Sequence, residues 1–243
     1  MNYTIDEFGG FECRKFVFGG KNALVVIPKK SNGRLAVKTE YWGAFPATEI
    51  ELLKRGYHLC FIENDNRWGT NPDLERKADF VKFVRNEFNL ENKCVPVGMS
   101  CGGLIAIKFA ALHPEMVSCL YLDAPVVNYF SCPCGFGVGN ELDGGKGIDE
   151  ILNALELKSI SELLCYREQP IDVLDTLVEN KIPVILVAGG SDYTVPFAEN
   201  GIMIKRAYEN SGIGFKLHIK QECGHHPHGL DDVNIVADFI DNH

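Results

Sequence analysis

No run in this chain approaches the eighteen or so apolar residues that a membrane-spanning helix requires. The opening stretch, MNYTIDEFGGFECRKF, is acidic early and lacks an apolar core segment, so no secretory leader is expected. Positive charge is in short supply: 24 lysines and arginines face 33 aspartates and glutamates, a net charge of −9. An acidic balance argues against nucleic acid or an anionic membrane as the main partner. Internal repeats and low-complexity segments are absent. Cysteine is plentiful but has no framework: nine residues, an odd number, are scattered without regular spacing. Several lie in apolar runs such as HLCFI and SCLYL, where a free thiol behaves as a small buried hydrophobe. The pattern points to a reducing, cytoplasmic setting.

What is present is a chain of 243 residues with 46% apolar side chains, enough for one domain, 1–243, with a large core. Short β-rich runs alternate with helical spacing, which predicts an α/β sheet. CRKFVF and NALVVIP open as strands, followed by RLAVKTEYW, YHLCFIEN, KCVPVGMS, VSCLYLDAPV, IPVILVAGG and FKLHIKQ. Between them, ATEIELLKRG, NPDLERKADFVKFVRNEFNL, CGGLIAIKFAALHP and FAENGIMIKRAYENSG read as helices, and LDDVNIVADFIDN closes the chain as another. Residues 128–181 break this rhythm with a glycine-rich stretch, NYFSCPCGFGVGNELDGGKG, and two or three short helical patterns. A long insertion between two sheet strands is expected to serve function, as a lid or cap.

The stretch VPVGMSCGG holds Gly98-Met99-Ser100-Cys101-Gly102, a GxSxG motif that ends a β-rich run and opens a helix. A turn this sharp strains the serine and projects its Oγ above the sheet. Gly98 and Gly102 are expected to relieve crowding against neighbouring backbone. The helix N-terminus favours negative charge developing nearby. Without that chemistry Ser100 would be an ordinary helix N-cap.

Serine needs a base, and the base an orienting acid. In VAGGSDYTVP, Asp192 follows an apolar run and a Gly-Gly-Ser turn; in KQECGHHPHG, His225 follows the next strand and a glycine. The order Ser100, Asp192, His225 is that of the α/β-hydrolase arrangement. Asp123, ending CLYLDAPV, is the rival acid; otherwise its carboxylate would stabilise the turn. His226 and His228 flank the base, and His228 is placed to cap the final helix or hydrogen-bond within its loop. Cys132-Pro133-Cys134 with the histidines offers a zinc reading, but the spacing is not the usual CxxC pair.

The segments EYWGAFPATEIELLKRGYH, GMSCGGLIA, LDAPV, GGSDYTVPFAENG and GHHPHGL together resemble serine hydrolases of the α/β-hydrolase superfamily, in a bacterial esterase-like branch. The resemblance covers nearly the whole chain. It implies an eight-stranded, mostly parallel sheet flanked by helices, a Ser-Asp-His triad, no metal and no cofactor. Its G-H-x-P-H context selects His225 as the base.

An oxyanion hole needs backbone donors. Cys101 N–H is the first. The second comes from the turn after LAVKTEYW, as Trp42, with Tyr41 the alternative. The superfamily's commoner His-Gly is absent there, replaced by Glu40-Tyr41. Tyr129, Phe130, Phe136 and Tyr166 are candidates to line a pocket, and Arg67 and Trp68 to form its rim; packing roles are open for each.

The resulting expectation is a carboxylesterase acting on a small-molecule ester with a short acyl group, such as an acetylated sugar. A peptidase or thioesterase on the same fold, or a non-catalytic binding protein, remain the alternatives, and self-association into a homo-oligomer is left open. Activity is expected to survive prolonged chelation. A chelator-sensitive activity that zinc restores would instead revive the cysteine–histidine reading.

Overall fold

The computed structural model describes residues 2–243. The chain opens as an antiparallel meander of β1 (Thr4–Phe8), β2 (Phe11–Phe18) and β3 (Lys21–Ile27). Then follow β4 (Leu35–Lys38), α1 (Ala47–Lys54), β5 (His58–Ile62), α2 (Asn71–Phe88), β6 (Cys94–Met99), α3 (Cys101–Leu112) and β7 (Leu120–Asp123). After the insertion's α4 (Lys146–Ala154), α5 (Ile160–Cys165) and α6 (Leu174–Glu179) come β8 (Val184–Gly189), α7 (Gly201–Tyr208), β9 (Phe215–Lys220) and α8 (Asn234–Asp241).

One sheet orders the strands β1-β2-β3-β5-β4-β6-β7-β8-β9. It is antiparallel from β1 to β5 and parallel from β5 to β9. The expected mostly parallel sheet flanked by helices is present, with nine strands where eight were expected. The additional strand is β1. Four of its five residues are exposed, Ile5 among them, so its sequence carries no buried face for alternation to reveal.

Strands β5, β6, β7 and β8 are buried along their whole length, which explains their near-continuous apolar runs. In β4, Leu35 and Val37 face the layer that contains α2 and α3, while Ala36 faces the layer of α1 and α8. Helix α3 is buried at ten of its twelve positions, from Cys101 to Ala110, because the sheet lies under it and α2 and the insertion cover it. The strand expected over RLAVKTEYW stops at Lys38; Tyr41 (φ 56°) and Phe45 (φ 46°) take left-handed backbone conformations and turn the chain away.

Lys38 and Glu49 form a buried ion pair, with side chains 1% and 3% exposed. Lys38 Nζ also contacts the Ala44 carbonyl at 3.4 Å, so the pair ties α1 to the turn between β4 and α1. Glu49→Ala would strand a buried ammonium. It is expected to lower the free energy of urea unfolding by about 3–5 kcal/mol. The double variant Lys38→Met/Glu49→Leu is expected to recover most of that loss in the same measurement.

Candidate active site

The parallel half of the sheet delivers three loops to one edge. Ser100 lies between β6 and α3, Asp192 follows β8, and His225 follows β9. Ser100 has φ 54° and ψ −125°, the strained turn that the GxSxG motif demands. Close approach explains the first glycine: a Cβ on Gly98 would lie 2.4 Å from the Gly102 carbonyl oxygen. At Gly102 the constraint is milder, 3.2 Å from Glu40 Cβ and Thr39 Oγ1. Thr39 Oγ1 donates to the carbonyl oxygens of Gly102 (2.7 Å) and Val97 (3.1 Å), joining the end of β4 to the elbow.

The three side chains form a continuous line. Ser100 Oγ lies 3.0 Å from His225 Nε2, and His225 Nδ1 lies 2.7 Å from Asp192 Oδ2. A carboxylate only accepts, so Nδ1 carries the proton and Nε2 presents its lone pair to the serine hydroxyl. Asp192 Oδ1 accepts the amides of Thr194 and Val195, both at 2.8 Å. Burial pushes the Asp192 carboxyl up, but the hydrogen bonds from His225, Val195 and Thr194 outweigh it and hold its pKa below the usual 3.8. Its contribution to stability is therefore complete above that value and is lost only as the pH falls through the depressed one.

Asp123 is engaged elsewhere. Its Oδ1 accepts His228 Nδ1 at 2.7 Å and its Oδ2 the Gly229 amide at 2.6 Å. His228 therefore does not cap α8; it pins the histidine loop to the end of β7. Lys220 braces the same loop from within, donating to the carbonyls of Pro227 and Gly229. The glycine that lets the loop approach is Gly189: a Cβ there would lie 2.2 Å from the Gly224 carbonyl oxygen. At Gly224 itself a Cβ would meet only an ordinary 3.7 Å contact. His226 is exposed and stacks on Phe45, with ring centroids 5.3 Å apart. Desolvation, then the neighbouring imidazoles of His225 and His228, pull its pKa down.

Cys101 and Trp42 carry free donors. Neither amide finds an acceptor among the described residues, whereas the Tyr41 amide is turned to Glu40 Oε1 at 3.3 Å. That distinction favours Trp42 over Tyr41. The Trp42 ring packs on Phe8 and Phe61. Glu40, in place of the commoner His-Gly, is held by Asn64 Nδ2 at 2.6 Å. Burial pushes the Cys101 thiol up to about 11, so the cysteine beside Ser100 is no rival nucleophile.

The rim expected around Arg67 and Trp68 differs from its prediction. Trp68 is fully buried and its indole N–H donates to Glu150 at 3.1 Å, so no face is open to a ligand. Arg67 bridges to Glu150 (2.6 Å) and Asp143 (3.0 Å), tying the insertion to the loop after β5. Tyr129 is also core, while Phe136 is exposed. Cys132 and Cys134 are buried, and no cysteine joins the histidine cluster among the described residues. Nothing in the sequence points to Glu150, because a glutamate in a helix with apolar neighbours carries no local signal of a distant arginine.

The sequence profile of the prolyl oligopeptidase family matches residues 63–243. Acylaminoacyl peptidase from Pyrococcus horikoshii superposes with a TM-score of 0.67 at 13% identity, covering 93% of this chain and 38% of that one. Porphyromonas gingivalis dipeptidyl peptidase 4 gives 0.65 at 13%, covering 99% and 35%. S-formylglutathione hydrolase from Agrobacterium tumefaciens gives 0.64 at 14%, covering 100% and 97%. This chain thus spans less than two fifths of either peptidase. No curated protein matches its sequence. Identities this low bear on fold, which is that of the α/β hydrolases.

Two aspartates at adjacent strand ends are expected to behave differently when replaced. Asp123→Asn weakens the hold on buried His228 and should lower unfolding stability by about 1–3 kcal/mol. Asp192→Asn should also cost stability, about 1–3 kcal/mol, because its buried carboxylate accepts three hydrogen bonds, and should in addition lower turnover by about a thousandfold or more, by favouring the wrong histidine tautomer. Denaturation curves and ester turnover of both purified variants check this.

Proposed function

This chain belongs to the prolyl oligopeptidase family and is a serine hydrolase of the α/β-hydrolase fold; on that premise we propose that it cleaves carboxylic esters with short acyl groups through an acyl-enzyme on Ser100. The observation that carries the proposal is the hydrogen-bonded line from Asp192 through His225 to Ser100, 2.7 and 3.0 Å long. His225 Nε2 takes the Oγ proton as Ser100 attacks the ester carbonyl carbon. The amides of Cys101 and Trp42 stabilise the oxyanion of the tetrahedral intermediate. When the intermediate collapses, the bond to the alcohol oxygen breaks and His225 protonates that oxygen. His225 next deprotonates a water, which attacks the acyl carbon; a second collapse releases the acid and returns the proton to Ser100. Asp192 keeps the imidazole in the required tautomer and stabilises its charged form.

A short acyl group draws support from the S-formylglutathione hydrolase, named for a formyl thioester and matched over 97% of its length where the peptidases are matched over 35–38%. Arg67 anchors the insertion, which buries Tyr129. The nine free thiols, seven of them buried, support a reducing compartment. The family match supports a second reading, a peptidase acting on short peptides.

A fluorophosphonate probe is expected to add one label per chain, and Ser100→Ala to abolish it; persistent labelling would remove Ser100 from its role. A panel of p-nitrophenyl acetate, butyrate and octanoate, acetylated sugars and aminoacyl anilides then separates the readings. The acetyl and butyryl esters should be turned over fastest, with kcat/KM about tenfold or more below them for octanoate. Anilide cleavage at a rate comparable to the acetate would establish the peptidase reading instead.

A further inference from the structure

The His225, His226 and His228 ring centroids form a nearly equilateral triangle with sides of 4.9, 5.0 and 4.9 Å. With metal–nitrogen bonds of about 2.0 Å and tetrahedral angles, three imidazoles around one zinc ion sit about 5 Å apart, centroid to centroid. Ligand nitrogens of the three rings already lie within 4.8 Å of one another. A shared ion needs them at about 3.3 Å, so a modest ring movement completes the site. His226 is placed to supply it: the residue is exposed and its ring nitrogens have no hydrogen-bond partner among the described residues.

A second feature is independent of that spacing. His225 Nδ1 and His228 Nδ1 each pair with a buried carboxylate, Asp192 and Asp123, both at 2.7 Å. Carboxylate–histidine pairs of this kind orient metal-binding imidazoles, because holding the proton on one nitrogen leaves the other a lone pair and raises its basicity. Here both pairs leave Nε2 as the donor. The donor set is all imidazole, which suits zinc and its neighbours cobalt and copper rather than magnesium or calcium.

We propose that His225, His226 and His228 form a binding site for a zinc-class divalent cation, and that filling it switches the hydrolase off. The cation takes the Nε2 lone pair of His225, the same pair that accepts the Ser100 proton. Ser100 then keeps its proton and has no base. No bond to substrate is made or broken, and removing the cation returns the lone pair. The inhibitory half of the proposal rests on the function proposed above; the binding half stands on the histidine geometry alone.

The test uses the full chain with Cys165→Ser and Cys223→Ser, which removes the two thiols that are not buried. Cobalt(II) is titrated while the visible spectrum is recorded, and zinc(II) is titrated by calorimetry. One ion per chain is expected, with the intense visible absorption of four-coordinate cobalt. His226→Ala and His226→Gln should each weaken zinc binding by about tenfold or more. Zinc should block fluorophosphonate labelling, chelation should restore it, and the concentration needed should rise in step in both His226 variants. Each variant is compared with its own metal-free rate. Absence of stoichiometric binding, or zinc affinity indifferent to His226, would overturn the site. Binding without loss of labelling would overturn the switch. A metal-free chain that fails to label at all would sink the proposed function, and the cobalt spectrum and the His226 variants would then decide the site on their own.

Discussion

Asp123, at the carboxyl end of β7, grips both halves of the site. Its carbonyl oxygen accepts the Ser100 amide at 2.9 Å, fixing the strained turn after β6. Its carboxylate accepts His228 and the Gly229 amide, fixing the loop after β9. Strand β7 lies between β6 and β8, so this one residue measures the span that His225 must cross to reach Ser100. The 3.0 Å contact between His225 and Ser100 depends on those two attachments holding their distance. The pair is buried, with side chains 2% and 3% exposed for His228 and Asp123. Such pairs contribute little net stability and a strict geometry.

The same principle recurs around the elbow. Lys38 and Glu49 are buried beneath the turn that carries Trp42, and Asp192 is buried with every carboxylate contact satisfied. Polar groups withdrawn from water cost free energy unless they are paired. In this chain two of these pairings also join segments that the sequence separates widely, residue 123 to 228 and 192 to 225, and the third joins the end of β4 to α1. The site is held by desolvated polar contacts set into an apolar sheet, rather than by the sheet's apolar packing alone.

The insertion at 128–181 is firmly attached. Asn200 Oδ1 accepts the amides of Val127 and Asn128 at 2.9 and 3.0 Å, and its Nδ2 donates to Ser131 Oγ at 3.0 Å. Gln169 Oε1 receives the Tyr129 amide at 3.0 Å, and Arg67 holds α4 through Glu150. Its glycine-rich start gives no periodicity in the sequence because these contacts, and not a regular ladder, satisfy its backbone.

Local chemistry determined what the sequence made readable. Apolar runs long enough to be buried on both faces marked β5 to β8, and turn residues after β6, β8 and β9 marked Ser100, Asp192 and His225. Each signal lies within a few neighbouring residues. Strand β1 was invisible because it hides no face from water, and the end of β4 was misplaced because Tyr41 and Phe45 leave the strand in conformations that their side chains do not announce. The tertiary structure alone decided that Trp68 is core, that Glu150 answers Arg67, and that His228 pairs with Asp123 instead of capping α8. These are contacts between distant parts of the chain, fixed by strand order and crossover, and no spacing within the sequence encodes them.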